Sequence, residues 1–168
     1  PRRSILFAFV AAEEQGLLGS QYYATHPTFA PGRIAANINY DAGNVFGRTR
    51  DVTYIGYGKS SLDQVIVAAA KKQERVVKAD QFPDRGSFYR SDQFNFAKIG
   101  VPALYLDGGT DFVGKDPEFG KKLQERYEST CYHQPCDEIS AEWDLSGLIE
   151  DTRLGFECGL HLANSDAM

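Results

Sequence analysis

The chain opens on an unbroken apolar run. Positions 5–10 read Ile-Leu-Phe-Ala-Phe-Val, and after Ala11-Ala12 the run stops at two adjacent carboxylates, Glu13 and Glu14. A short run of β-branched and aromatic residues without alternation predicts a strand buried on both faces. Past the glutamates, Leu17, Leu18, Tyr22 and Tyr23 recur at near-helical spacing, which predicts a helix over 16–25 that ends at His26-Pro27. Residues 34–40 predict a second strand, closed by Asp41-Ala42-Gly43, and the aromatic alternation over 52–58 predicts a third. Leu62, Val65, Ile66, Ala69 and Ala70 form an apolar helical stripe that finishes at Lys71 and Lys72, whose charges suit a helix C-terminus. Residues 76–77 begin a shorter extended piece. Residues 91–100 predict a short helix ending at Gly100, and 101–109 a further strand with Pro102 at its entry, where no ladder donor is lost. A short helix over 119–126 lies in a charged stretch, and the spacing of Leu145, Leu148, Ile149, Thr152, Leu154, Phe156 and Leu160 predicts a closing amphipathic helix. Strands that alternate with helices give an α/β class with a mixed, mostly parallel sheet and helices on both faces. No repeat, low-complexity segment or long linker divides residues 1–168, so they are read as one domain.

Composition narrows the partners. The 168 residues carry 18 Lys and Arg against 23 Asp and Glu, a formal net charge of −5. No basic cluster interrupts the pattern, which argues against a nucleic-acid footprint and is compatible with a cation site. No apolar run reaches transmembrane length, and no signal peptide opens the chain. Three cysteines, Cys131, Cys136 and Cys158, match no zinc-finger spacing. Cys131 and Cys136 bracket Tyr132-His133-Gln134-Pro135, where either a small loop disulfide or free thiols fit. The opening Pro1-Arg2-Arg3, followed almost at once by a core-type run and without an initiating Met, is read as that of a fragment or processed piece of a longer chain.

The candidate chemistry sits at predicted strand ends. A buried carboxylate must be paired, hydrogen-bonded or bound to a metal, and open α/β sheets bind ligands at the C-terminal edge of their strands. Side chains of neighbours on an extended chain point opposite ways, so one of Glu13 and Glu14 could hold a metal while the other faces a reacting water. The plainer reading is a solvated strand end entering an acidic first helical turn. Asp41 repeats the strand-end placement, although an Asp there also serves as a turn former. His133 lies in a Tyr-His-x-Pro turn followed by Asp137-Glu138, close enough in sequence for a carboxylate to brace the imidazole N–H. Two carboxylates with one imidazole form a common zinc ligand set in hydrolases.

Four blocks occur together: Ala12-Glu13-Glu14-Gln15-Gly16-Leu17-Leu18-Gly19-Ser20, Asn39-Tyr40-Asp41, Ser91-Asp92 before Ile99-Gly100-Val101-Pro102-Ala103, and Tyr132-His133-Gln134-Pro135. In this order they resemble the co-catalytic dizinc exopeptidases of the bacterial leucyl aminopeptidase and glutamate carboxypeptidase type, over nearly the whole chain. The resemblance implies a peptide substrate cleaved by a metal-activated water. It implies Glu13 as general acid/base, Glu14 and His133 as ligands of one zinc, Asp41 as ligand of the other, and Tyr132 as the group that steadies the tetrahedral intermediate. Asp92 falls in a block that usually reads Ser-Asp-His. Gln93 replaces that His, so Asp92 and Asp137 are carried only as pocket or supporting residues. The upstream His-x-Asp segment of the family, source of a further ligand and of the carboxylate bridging both metals, has no counterpart here.

The expectation is therefore a partial peptidase catalytic domain. Two zinc ions would bind in the intact parent and one or none in this chain. The parent would be an exopeptidase, most simply an aminopeptidase, exported by analogy with similar proteins. Three other readings remain open: a glutaminyl-cyclase-like transferase, a non-catalytic receptor-like relative on the same scaffold, and a plain α/β binding domain without metal.

Overall fold

The structure is a computed structural model that describes residues 1–165. Four strands form one sheet: β1 (Asn37–Asn39), β2 (Asp51–Ile55), β3 (Val76–Ala79) and β4 (Ala103–Asp107), in the spatial order β1-β4-β2-β3. The pairs β1·β4 and β2·β3 are parallel, and β2·β4 is antiparallel. Among the described residues there are five α-helices: α1 (Leu18–Thr25), α2 (Leu62–Lys72), α3 (Gln93–Lys98), α4 (Phe119–Thr130) and α5 (Ser146–Asn164). The sheet is thus mixed and mostly parallel, as the alternation of elements predicts.

Alternation along β4 builds the two layers. Leu104 and Leu106 are fully buried among Val52, Tyr54, Leu62, Ile66, Ala69, Leu154 and Cys158, the core under α2 and α5. The buried residues of α2 fall at Leu62, Ile66, Ala69 and Ala70, one stripe of a 3.6-residue helix. Burial of Leu62 and Ile66 contributes roughly 1.5–3 kcal/mol each, and the alanine methyls less. The other layer is α3, packed on β1 and β4, with α1 behind it. Gly100, at φ +82°, lets the chain leave α3 and turn into β4.

One predicted element is absent. Residues 5–10 form no strand: Phe7 and Phe9 are 79% and 95% exposed, and Ile5 and Leu6 about half. Apolar, β-branched composition supplies only a propensity, and a strand exists only where a neighbour completes its ladder. The segment is tied down at its two ends instead. The Arg2 and Arg3 amides donate to the Ala163 carbonyl at the end of α5, and the Gly19 and Leu18 amides donate to Ala11 and Ala12. The remaining differences are of length. The predicted strand over 34–40 pairs only at Asn37–Asn39, and the helix predicted over 119–126 runs to Thr130.

Candidate metal and peptidase site

The turn that presents Glu13 and Glu14 is built by the residues after them. The Gly16 and Leu17 amides both donate to the Glu13 carbonyl, at 3.0 and 2.8 Å. Ala12 and Leu17 have φ of 58° and 62°, which for residues with a Cβ costs about 1–2 kcal/mol each. Backbone strain of this kind persists where surrounding contacts hold it, and Ser20 and Asn95 supply them. Both are buried, Asn95 Nδ2 donates to Ser20 Oγ at 2.8 Å and to the Leu17 carbonyl at 3.2 Å, and Ser20 Oγ donates to the same carbonyl. Gly19 lies so close to Ala11 that a Cβ there would sit 2.5 Å from its backbone N and O. The Gly-Leu-x-Gly-Ser part of the motif is thus a clamp that fixes the two glutamates on α3.

Asp41 follows β1, and Tyr105 on the paired strand β4 donates to its Oδ2 at 3.3 Å. Burial, then the charges of Asp107 and Asp41, push the Tyr105 phenol well above its ordinary value, so it stays a donor. Asn39 ties β1 to α3 through Ser91 Oγ at 2.9 Å and Gln93 Oε1 at 3.2 Å, and Gln93 Nε2 donates to the Phe88 carbonyl. Gln93, which stands where the family pattern has His, is fully buried and fixes this junction. Asp92 precedes α3, and its Oδ1 is buried without a hydrogen-bond partner.

Tyr132 and His133 leave the end of α4 in a short loop that the Cys131–Cys136 disulfide closes. His133 has φ +57°, its ring stacks on Tyr132 with centroids 3.8 Å apart, and its Nε2 faces Glu14 Oε1 at 3.0 Å. Arg90 Nη2 donates to the Tyr132 hydroxyl at 3.3 Å. Asp137 accepts a hydrogen bond from the Tyr127 hydroxyl at 2.7 Å.

One open cleft of about 1280 Å³ gathers Glu13, Glu14, Asp41, Tyr132, His133 and Asp137. Asp92 lies outside its lining, yet its charge reaches Glu13. Burial first, then the charges of Asp41, Glu14 and Asp92, raise the affinity of Glu13 for a proton above that of an ordinary glutamate, against the opposing pull of His133. Asp107, at the end of β4, also lines the cleft. Burial, and then the charges of Asp151, Asp80 and Asp41, push it up to about 6 against the Gly108 amide that donates to it. Its signal in the sequence is the same as that of Asp41, a carboxylate closing a strand, but without a surrounding motif.

In type and placement, Glu14 and His133 suit one divalent cation: a carboxylate oxygen and an imidazole nitrogen, far apart in sequence, face each other at 3.0 Å. Among the described residues no three His, Cys, Asp or Glu side chains cluster closely enough to enclose a metal on their own.

The chain is similar to several known proteins. Leupeptin-inactivating enzyme 1 of Streptomyces exfoliatus is 25% identical over 144 residues, 83% of this chain and 31% of that protein. The aminopeptidase from Aneurinibacillus sp. strain AM-1 shares the fold, with a TM-score of 0.53 at 20% identity over 92% of this chain and 32% of its own. A zinc aminopeptidase from Bacillus subtilis matches with a TM-score of 0.47 at 19% identity over 80% of this chain and 37% of its own. The chain thus spans about a third of the length of these proteins. The profile of peptidase family M28 matches residues 1–156, and the chain belongs to that family.

Proposed function

We propose that this chain is the part of a zinc-dependent exopeptidase, an aminopeptidase, that carries the general base and one pair of metal ligands. The observation that carries the reading is the approach of His133 Nε2 to Glu14 Oε1 at 3.0 Å, with Glu13 beside it in the same cleft. Glu14 and His133 would hold one zinc and Asp41 would serve a second. The remaining ligands would come from the His-x-Asp segment of a longer chain. Bound zinc would supply Lewis-acid polarisation of the substrate carbonyl and would lower the pKa of water.

The chain's own groups do the rest. Glu13, whose proton affinity is raised by burial and by neighbouring carboxylates, accepts the proton of the attacking water and returns it to the leaving amine. General acid–base help of this kind is worth about 10²–10⁴-fold. The Tyr132 hydroxyl, accepting from Arg90, is free to donate its own proton to the oxygen on which negative charge develops. Phe82, Tyr89, Phe94 and Leu123 add aromatic and apolar surface to the lining of the cleft.

The test compares Glu13→Gln with the unaltered sequence in the full-length protein, on aminoacyl and N-terminally blocked peptide substrates. Turnover of the free-amine substrate should fall by about 10²–10⁴-fold, while zinc measured by elemental analysis stays bound. Unchanged turnover sinks the assignment, and cyclisation of an N-terminal glutaminyl peptide in place of hydrolysis would reassign the reaction. Residues 1–168 alone should bind zinc weakly and show little or no turnover; robust turnover by them would disprove the partial site.

A further inference from the structure

We propose that Tyr127 is a positioning residue for the Tyr132–His133 pair: its hydroxyl, held by Asp137, and its ring, set against Tyr132, fix the direction in which His133 faces Glu14. The inference rests on the metal reading above and extends it to a residue with no motif of its own.

Tyr127 touches the site loop at both ends. On the near side, its carbonyl accepts the amides of Cys131 and Tyr132 at 2.9 and 3.0 Å. On the far side, past the disulfide, its hydroxyl donates to Asp137 Oδ2 at 2.7 Å. Between these points its ring meets Tyr132 edge-on, centroids 6.0 Å apart at 65°. Tyr132 in turn lies flat on His133 at 3.8 Å and 24°. A continuous series of contacts therefore runs from Asp137 through Tyr127, Tyr132 and His133 to Glu14. The loop benefits from such support because His133 sits at φ +57°, a conformation uncommon for residues with a Cβ. The disulfide closes the loop; Tyr127 meets the ring of Tyr132 within it.

Burial, then the hydrogen bond and charge of Asp137, push the Tyr127 phenol up to about 12. It is therefore a donor around neutral pH. The plain alternative is a surface hydrogen bond that adds about 1 kcal/mol of stability and does nothing else. The two differ in what reaches His133. Partners that orient a ligating imidazole typically change metal affinity by about 10–100-fold when removed.

The experiment titrates zinc into the protein by calorimetry and follows the His133 ring by ¹H–¹⁵N correlation, for Tyr127→Phe, Asp137→Asn and His133→Ala. Tyr127→Phe keeps the ring, and Asp137→Asn keeps the shape of the acceptor. Each should weaken zinc by about tenfold and shift the His133 ring signals, with an unchanged melting temperature. Wild-type zinc affinity with unshifted His133 signals in both variants overturns the proposal. So does a weakening that only tracks a fall in melting temperature. Zinc stoichiometry and affinity that are both unchanged by His133→Ala refute the metal reading itself, and the positioning role then stands or falls on the His133 signals of Tyr127→Phe alone.

Discussion

Two groups of acids in this molecule are treated in opposite ways. At the junction of β2, β3 and α5, each buried carboxylate meets a cation. Arg75 Nη2 contacts Asp151 Oδ1 at 2.7 Å with both side chains nearly inaccessible, and Lys78 Nζ reaches Asp51 Oδ2 at 2.8 Å. Arg75 also donates to Thr49 Oγ1 and to the Asp51 carbonyl. Burial pushes the Asp51 carboxyl up, but Lys78 and the backbone amides of Asp111 and Thr110 outweigh it and leave it below the usual carboxylate range. For Asp151, burial still outweighs Arg75, as expected where desolvation consumes most of a buried pair's attraction. In the cleft the acids face one another instead. Glu13 feels Asp41, Glu14 and Asp92, and Asp107 feels Asp151, Asp80 and Asp41. Acids with cations beside them hold the fold; acids crowded together in a cleft are held by the fold, and that is the condition for binding a cation or moving a proton.

The contrast can be broken from the structural side first. Arg75→Met leaves Asp151 buried without its cation and should cost about 3–5 kcal/mol in urea unfolding; a loss below about 1 kcal/mol would mean that the network is not structural. Glu13→Gln should do the reverse, removing turnover without lowering the unfolding midpoint, because it relieves a carboxylate among carboxylates.

The next effect is one of pH. The folded pKa of Asp107 lies above its unfolded value of 3.8, at about 6. Its contribution to stability is therefore fully present below about pH 4 and is lost as pH rises towards 6. Asp51 is lowered, so its contribution is present above its unfolded value and is lost as pH falls through the folded one. Melting temperatures measured against pH should show both slopes. Asp107→Asn should flatten the segment between about pH 4 and 6 and leave the acid limb in place; a profile unaltered by that substitution would remove Asp107 from the crowded set. The smallest effect belongs to the surface. Arg50 and Asp111 pair at 2.8 Å but are 54% and 43% exposed, so Arg50→Gln should change stability by less than about 1 kcal/mol.

What the sequence discloses divides along physical lines. The helices α2 and α5 are legible because their signal is local: Leu62, Ile66, Ala69 and Ala70 mark one face by spacing alone. Residues 5–10 mislead for the converse reason, since a ladder is a property of two segments and the run describes only one. The motif blocks hold Glu13, Glu14, Asp41, Tyr132 and His133, which line one cleft together with Asp137, whereas Asp92 lies outside that lining. Asn95, Tyr127 and Asp107 escape notice because their significance lies in partners more than a turn away or across the sheet: the Leu17 carbonyl, Tyr132 and Asp41. The cysteines leave two readings open, and only the backbone path of the loop brings Cys131 and Cys136 into a bond.

The pairing of β1 with β4 has a consequence for the chemistry. Asn39 stands opposite Tyr105, and Asp41 and Asp107 each lie two positions further along, so the ladder acts as a ruler for the gap between two charges. A ladder of three rungs is short enough to slip, and what prevents slippage is the grip of Asn39 on Ser91 and Gln93 and of the Tyr40 hydroxyl on the Asp151 carbonyl. Evolution or an engineer could therefore retune the spacing of the two acids by editing these remote fasteners and leaving every reactive group untouched.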